Sequence, residues 1–298
     1  MIVLYAATRN LYPYMLPSIT SLLEHNDVEK IIMLLEDDTF PAPLPDCCEI
    51  RNVVEYRDKY LDPDGVNVGT YFSWQAMLRV AYPLVLQDLD KVLSLDVDTI
   101  ICDSLEPLWN TDLTGKWFAM APEKEIPPFR SAPYRPDVDV YYNCGVTLYN
   151  LKQLREDNMV PTFLEKINTV LMDYIEQDTF NEYGSRQGKI VALPNRYNEC
   201  VGTGETDNPA IVHFAGHLHW MRNMDMPRRP YLDKYRHLFM MDLINRDQAI
   251  RELMNYIRLC DSPKIQGQTD KLVLSPKAAK DILEVITQDD AWLKKRRE

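Results

Sequence analysis

The sequence predicts an α/β protein built on a mostly parallel sheet with helices on its faces, and three observations carry that expectation. Short apolar runs of strand character alternate with stretches whose apolar residues recur at helical spacing. Proline-rich segments fall between them, where connections should run. A run that reads as a strand buried on both faces, KVLSL at 91–95, ends directly in two acids, Asp96 and Asp98. Open α/β sheets gather their ligands beyond such carboxyl ends.

Each element follows in order. Residues 2–7, IVLYAA, form the first strand, and Met15, Ile19, Leu22 and Leu23 place a helix behind it. KIIMLL at 30–35 is the second strand and residues 49–54 the third, with the loop TFPAPLPD between them. LDPDGVNVG at 61–69 is turn-rich; Trp74, Met77, Leu78 and Ala81 then predict a helix that Pro83 interrupts or kinks. After the 91–95 strand comes a second proline-rich loop, PEKEIPPFRSAPYRP at 122–136, and a short strand at 145–149. A helix over 160–175 leads into EQDTFN, and IVALP and IVHF supply two last short strands. Beyond about Met224, Ile250, Leu253, Met254 and Ile257 share a helical face, and Ser275-Pro276 forms an N-cap and first-turn pair. The expected organisation is a main domain over 1–224 and a helical extension over 225–298.

Composition narrows the function classes. A chain of 298 residues can bury one large core with an appendage, and 46% apolar with 26% charged residues is the balance of an ordinary globular protein. A formal net charge of −12 argues against a nucleic-acid surface, which needs basic residues to neutralise phosphates. Six cysteines without C-x-x-C spacing point to a reduced, cytoplasmic compartment. The first residues, MIVLYAATRN, lack a basic n-region, and no later segment has the uncharged length of a membrane span. The KKRR stretch at 294–297 reads as a solvated tail, with peripheral contact to anionic lipid at the inner membrane face as the competing reading. No Gly-rich phosphate loop of the G-x-x-x-x-G-K type is present.

Strand side chains alternate faces, so Asp96 and Asp98 point the same way, and two like charges held together call for a cation. Asp-x-Asp alone is weak, because aspartates are common in turns and caps. One rival is a phosphohydrolase of the haloacid-dehalogenase type, whose motif is Asp-x-Asp-x-Thr at the chain start; here Ile100 stands in place of that threonine and the strand lies a third of the way along. The other is a nucleotide-sugar transferase. After LSLDVDTI the chain carries, in order, VYYNCGVTLYNL (140–151), IEQDTFN (175–181), ALPNRYN (192–198) and IVHFAGHLHW (211–220). This ordered set resembles glycosyltransferase family 8, the retaining transferases that include bacterial galactosyl- and glucosyltransferases and glycogenin, from residue 1 to about 220.

That resemblance implies a GT-A fold and a set of roles. Asp96, Asp98 and His213 match the family's metal ligands, an oxygen and nitrogen shell suited to Mn²⁺ or Mg²⁺. Val97 lies between the acids as a donor contact. Without the family match His213 reads as a core histidine at a strand end, and Arg79, implied near the donor, as a surface arginine. Asn143, Cys144 and Gly145 match positions around the donor sugar, or else a turn before a strand. Gln177 matches the residue nearest the reacting carbon on the face opposite the leaving group, which suits front-face substitution by a weak nucleophile. Glu176 and Asp178 are implied to orient the sugar; otherwise they are an acidic helix terminus. Ala6, Thr8, Asn10 and Tyr12 lie in AATRNLY, which resembles the family's nucleotide strand end, Ala-Ala/Thr-Asp-Asp-Asn-Tyr. Thr8 and Arg9 replace its two acids and Leu11 is an extra residue; backbone near Ala6 and Thr8 is expected at the base or ribose, with Tyr12 stacked on uracil. Gly216 and His219 stand where the family commonly has Gly-x-x-Lys-Pro-Trp, and His219 in place of lysine implies weaker donor affinity at alkaline pH.

The function so implied is transfer of a hexose, glucose or galactose, from a UDP-sugar to a hydroxyl acceptor such as a glycan or glycolipid, with retained configuration and a divalent ion. A noncatalytic sugar-nucleotide binder and the phosphohydrolase are the alternatives. The loops at 61–72 and 122–139 are expected to shape the acceptor pocket.

Overall fold

The computed structural model describes residues 1–70, 72–124, 134–202, 205–215 and 227–240, with 244, 250, 254, 257 and 280. Among these the chain runs β1 (Ile2–Ala6), a 3-10 segment (Arg9–Tyr14), α1 (Met15–His25), β2 (Lys30–Leu35), β3 (Cys48–Asn52), α2 (Val54–Tyr60), α3 (Trp74–Leu78), α4 (Tyr82–Val85), β4 (Lys91–Leu95), β5 (Thr99–Ile101) and α5 (Glu106–Trp109). It continues through β6 (Phe118–Pro122), β7 (Tyr142–Asn150), α6 (Leu151–Glu156), α7 (Val160–Thr169), α8 (Ile175–Arg186), β8 (Ile190–Ala192), β9 (Glu199–Cys200), β10 (Ile211–His213) and α9 (Arg229–Asp233).

Seven strands form one sheet in the order β3-β2-β1-β4-β7-β6-β8. Every neighbouring pair is parallel except those involving β7, which runs antiparallel to β4 and to β6. Val3, Leu4, Tyr5 and the run from Ile31 to Leu35 are fully buried, as a sheet covered on both faces requires. A second sheet, β5-β10-β9, begins four residues after β4 ends, so residues 96–98 bridge the two sheets.

Aromatic packing fixes α8 over the sheet. The Phe180 ring lies 4.5 Å from Phe118 on β6, 6.0 Å from Tyr149 on β7 and 5.7 Å from Phe163 on α7, centroid to centroid. Each such pair adds about 0.5–1.5 kcal/mol beyond area burial, enough to hold the first turn of α8 in one place.

Several boundaries differ from the sequence expectation for identifiable reasons. Pro83 does not kink a continuous helix; it occupies the first turn of α4, where its missing N–H is harmless, and the break falls in a 3-10 turn at Arg79–Ala81. The helix expected over 160–175 ends at Thr169. Val170 is extended, and the buried Asn67 amide donates to the carbonyls of Ile167 (2.6 Å) and Val170 (2.7 Å) while accepting from the Met172 N–H (3.0 Å). A new helix then starts at Ile175, so Glu176, Gln177 and Asp178 sit on its first turn. The third strand ends at Asn52 because α2 begins at Val54, and the strand expected at 145–149 spans Tyr142–Asn150.

The chain divides into two compact units, Met1–Phe239 and Met240–Glu298. The first reaches past 224 because Lys234 and Tyr235 both bond Glu24 on α1 at 2.6 Å. In the second, Ile250, Met254 and Ile257 are helical, whereas Leu253, Ser275, Pro276 and the 294–297 tail lie outside the described residues. Among the described residues no helix is long and apolar enough to cross a membrane.

Candidate active site

The candidate metal-ligand corner arises from strand geometry. Asp96 follows β4, and its N–H donates to the Gly145 carbonyl on antiparallel β7 at 2.7 Å. The Thr99 hydroxyl closes the turn on the Asp96 carbonyl (2.7 Å), and the Phe214 N–H, just past β10, donates to the Asp98 carbonyl (2.9 Å). These bonds bring the last residue of β10 against both acids: His213 Nε2 lies 3.3 Å from Asp98 Oδ1 and 3.7 Å from Asp96 Oδ2. One donor atom from each of the three lies within 4.8 Å of the others. Adjacent donors around an octahedral ion with bonds of about 2.1 Å stand about 3 Å apart, so two carboxylates and an imidazole in this arrangement fit a hard divalent cation with little movement.

Burial opposes charge on His213, yet the facing Asp98 carboxylate outweighs it and raises the imidazole pKa well above its ordinary value; reciprocally Asp98, despite burial, is held below its own. A proton and a divalent ion would therefore compete for this place. Gly145 is required by the ring itself, because a Cβ there would lie 2.1 Å from His213 Cε1.

Arg79 joins this corner to α8. Its guanidinium donates to Asp96 Oδ1 and its Nη1 lies 3.6 Å from Glu176 Oε1, while Nε is buried without a partner. The surface-arginine reading fails, since the side chain is only 11% exposed. Burial pushes Glu176 up to about 7, with Arg79 opposing it. Asp178, fully buried, is pushed up to about 6 against the pull of hydrogen bonds from the Tyr141 hydroxyl (2.5 Å) and the Tyr174 N–H (3.1 Å).

Between these acids, Gln177 Oε1 accepts the Cys144 N–H at 2.9 Å. The Asn181 side chain locks that register, accepting from the Tyr142 N–H (2.6 Å) and donating to the Tyr142 and Gln177 carbonyls (2.8 Å each). The contribution of Cys144 is thus its backbone; its thiol packs inward on Met120 Sδ at 3.9 Å. Asn143 is mostly engaged within the protein. Its Oδ1 accepts from the Gly145 N–H and from Asn198 Nδ2, both at 2.8 Å, and its Nδ2 donates to Glu123 Oε1 at 2.7 Å. The Val97 side chain is buried, which leaves its main chain for any donor contact.

The segment after β1, where the resemblance implies a nucleotide, is built differently from its sequence expectation. Ala6 closes β1, which pairs with β4 in the sheet, and Thr8 Oγ1 donates to Asn10 Oδ1 at 2.7 Å. Arg9 grips both Asp37 oxygens at 2.7 Å, and its N–H meets Glu36 Oε2 at 2.7 Å. The carboxylates beside Arg9 come from residues 36 and 37, just beyond β2, with Trp74 Nε1 donating to the other Glu36 oxygen at 3.0 Å. Tyr12 is fully enclosed. Its ring lies 5.6 Å from that of Phe40 and its hydroxyl accepts the Glu36 N–H at 2.9 Å, so stacking on a base requires this cover to open. Gly216 and His219 lie outside the described residues.

The structure therefore gathers Asp96, Asp98, His213, Arg79, Asn143, Cys144, Gly145, Glu176, Gln177 and Asp178 into one contact network. Sequence reasoning assigned no role to Asn198, Glu123 or Tyr141; ALPNRYN and VYYNCGV contain Asn198 and Tyr141, but their bonds appear only in the folded chain.

Comparison with known proteins agrees with this arrangement. The chain is 30% identical over 135 residues to a Haemophilus influenzae protein assigned as a glycosyltransferase, a match covering 43% of this chain and 40% of that one. It is 28% identical over 157 residues to glucoside xylosyltransferase 2 of Xenopus laevis, covering 45% and 36% respectively. The match thus spans less than half the length of either relative. In fold it is similar to the galactosyltransferase LgtC, solved with donor and acceptor sugar analogues, at a TM-score of 0.57 and 19% identity over 80% of this chain and 100% of that one. The shared architecture is the GT-A fold. The family described as glycosyl transferase family 8 matches residues 2–221, most of the chain and every placed residue of the site, and the chain belongs to that family.

Proposed function

We propose that this chain transfers a hexose from a UDP-sugar to a hydroxyl of a glycan or glycolipid acceptor, with retention of anomeric configuration, and that Asp96, Asp98 and His213 hold Mn²⁺, or Mg²⁺ in its place. The observation that carries the reading is the physical linkage of the donor-atom triad to the first turn of α8, through Arg79 on one side and the Cys144 amide on the other.

The ion, when bound, neutralises the charge that grows on the departing diphosphate. The chain's own groups do the rest. Arg79 keeps a fixed positive charge between Asp96 and Glu176, preorganised and shielded from water. Gln177 has one lone pair of Oε1 held by Cys144 and offers the second to the electron-poor anomeric carbon. Both lone pairs of Asn143 Oδ1 are taken, so it has one amide N–H left for a sugar hydroxyl. Asp178 and Glu176, raised toward neutrality, can donate as well as accept at sugar hydroxyls. The sugar–phosphate C–O bond breaks, the acceptor oxygen bonds the same face, and the acceptor proton passes to the leaving phosphate oxygen.

We assign this chemistry to the first unit, Met1–Phe239, and place the protein in the cytoplasm, with peripheral contact at the inner membrane face as the competing reading. The test is a thermal-shift panel of nucleotide sugars with and without Mn²⁺. A matched donor at about 100 times its Kd raises stability by about 2.7 kcal/mol, and only with metal. Binding without slow donor hydrolysis would favour the noncatalytic binder; phosphate release from a generic phosphomonoester would favour the phosphohydrolase.

A further inference from the structure

We infer that Asn198 is a positioning residue for the metal site: it keeps hydrogen on His213 Nδ1, so that Nε2 is the nitrogen left to present a lone pair to an ion between Asp96 and Asp98. The inference rests on the metal-site reading and extends it to a residue that touches no substrate.

Asn198 is 4% exposed and follows the 3-10 turn Asn195–Tyr197, immediately before β9. Its Oδ1 lies 2.8 Å from His213 Nδ1 and its Nδ2 lies 2.8 Å from Asn143 Oδ1. Amide orientation and imidazole tautomer are normally ambiguous, but here a chain of polarity decides both. At one end the Gly145 backbone N–H, which can only donate, points at Asn143 at 2.8 Å and demands the oxygen there. At the far side of the same amide, Glu123 Oε1 as a carboxylate can only accept, at 2.7 Å, and demands the nitrogen. With Asn143 so oriented, its oxygen requires Asn198 to approach with Nδ2. Asn198 then turns Oδ1 to His213, and an acceptor at that distance requires Nδ1 to carry hydrogen. Nε2, on the opposite side of the ring and 3.3 Å from Asp98 Oδ1, is left as the ligand atom.

The alternative partner of Nδ1 does not do the same work. Cys200 Sγ lies 3.8 Å away and is a weak acceptor at best. The absence of a side chain at Gly145 completes the device, because the His213 ring occupies the space a Cβ would need. Sugar-side Asn143 and metal-side His213 are thereby two ends of one hydrogen-bonded chain, with Asn198 at its centre. Partners of this kind orient a ligating imidazole, and their loss typically lowers metal affinity about 10–100-fold.

The test is an Mn²⁺ titration of the full chain at fixed UDP, with free Mn²⁺ followed by electron paramagnetic resonance, for wild type, His213→Ala, Asn198→Ala and Asn198→Asp. Melting temperatures in chelator check that each variant folds. Asn198→Ala is expected to bind Mn²⁺ about 10–100-fold more weakly than wild type. Asn198→Asp, which keeps an acceptor for Nδ1–H but cannot donate to Asn143, is expected to bind more tightly than Asn198→Ala. Loss in His213→Ala with wild-type affinity in Asn198→Ala overturns the role given to Asn198, as does an Asn198→Asp variant no better than Asn198→Ala. Equal binding by wild type and His213→Ala overturns the metal-site reading itself.

Discussion

Two acid pairs at the same sequence spacing, Asp96/Asp98 and Glu176/Asp178, do opposite things. On the extended segment after β4, residues two apart face one way, so both carboxylates meet the same imidazole. On the first turn of α8, residues two apart are separated by about 200° of rotation, and the pair splits: Glu176 turns to Arg79, Asp178 to Tyr141 and Tyr174. The first pair faces His213 and Arg79, and Asp98 is held below its ordinary pKa; the second is buried apart and both its members are raised. Identical spacing thus builds a candidate cation site on a strand and, on a helix, two weakly ionised groups flanking Gln177.

The comparison breaks most sharply at its strand end. Asp98→Asn removes one of the two charges proposed to hold the cation, and donor hydrolysis should fall at least about 10²–10³-fold, measured as UDP release with Mn²⁺ present. Gly145→Ala drives a methyl into the His213 ring; the expected loss is about 1–3 kcal/mol in urea unfolding, accompanied by weaker Mn²⁺ binding.

The helix end is sharpened by pH. The folded pKa of Glu176, about 7, lies above the unfolded value near 4.5, so its contribution is fully present below about pH 4.5 and is lost as pH rises through 7. Wild type should therefore lose stability relative to Glu176→Gln, by on the order of 1–3 kcal/mol, between pH 4.5 and 8 in metal-free unfolding titrations. A difference that grows in favour of wild type over that range would refute the assignment. The smallest expected effect is Asn181→Ala, about 1 kcal/mol of stability from the clamp between α8 and β7, with kcat falling more than KM changes because Gln177 loses its register.

Much of this was legible in the sequence where the physics is local. KVLSL followed by two acids reads as a buried strand delivering carboxylates, and β4 with Asp96 and Asp98 is that. What the sequence hid depends on distant partners. The break between α7 and α8 is made by Asn67, about a hundred residues away, so an uninterrupted helical pattern concealed the turn that sets Gln177 on a helix start. β5 and β9, of three and two residues, are too short to show a period, and FAMAP in β6 has no alternation to read. Arg79 looked exposed on its own helix because only the fold brings Asp96 and Glu176 to it. The compensation of Arg9 by Asp37 is likewise a meeting of neighbouring strand ends, invisible in AATRNLY alone.

The measurement closest to the central claim is anomalous diffraction at the manganese edge from crystals grown with Mn²⁺ and UDP. The account predicts one strong peak within about 2.0–2.4 Å of an Asp96 oxygen, an Asp98 oxygen and His213 Nε2, with diphosphate oxygens completing the shell. A bound nucleotide with no peak between those three residues would contradict it.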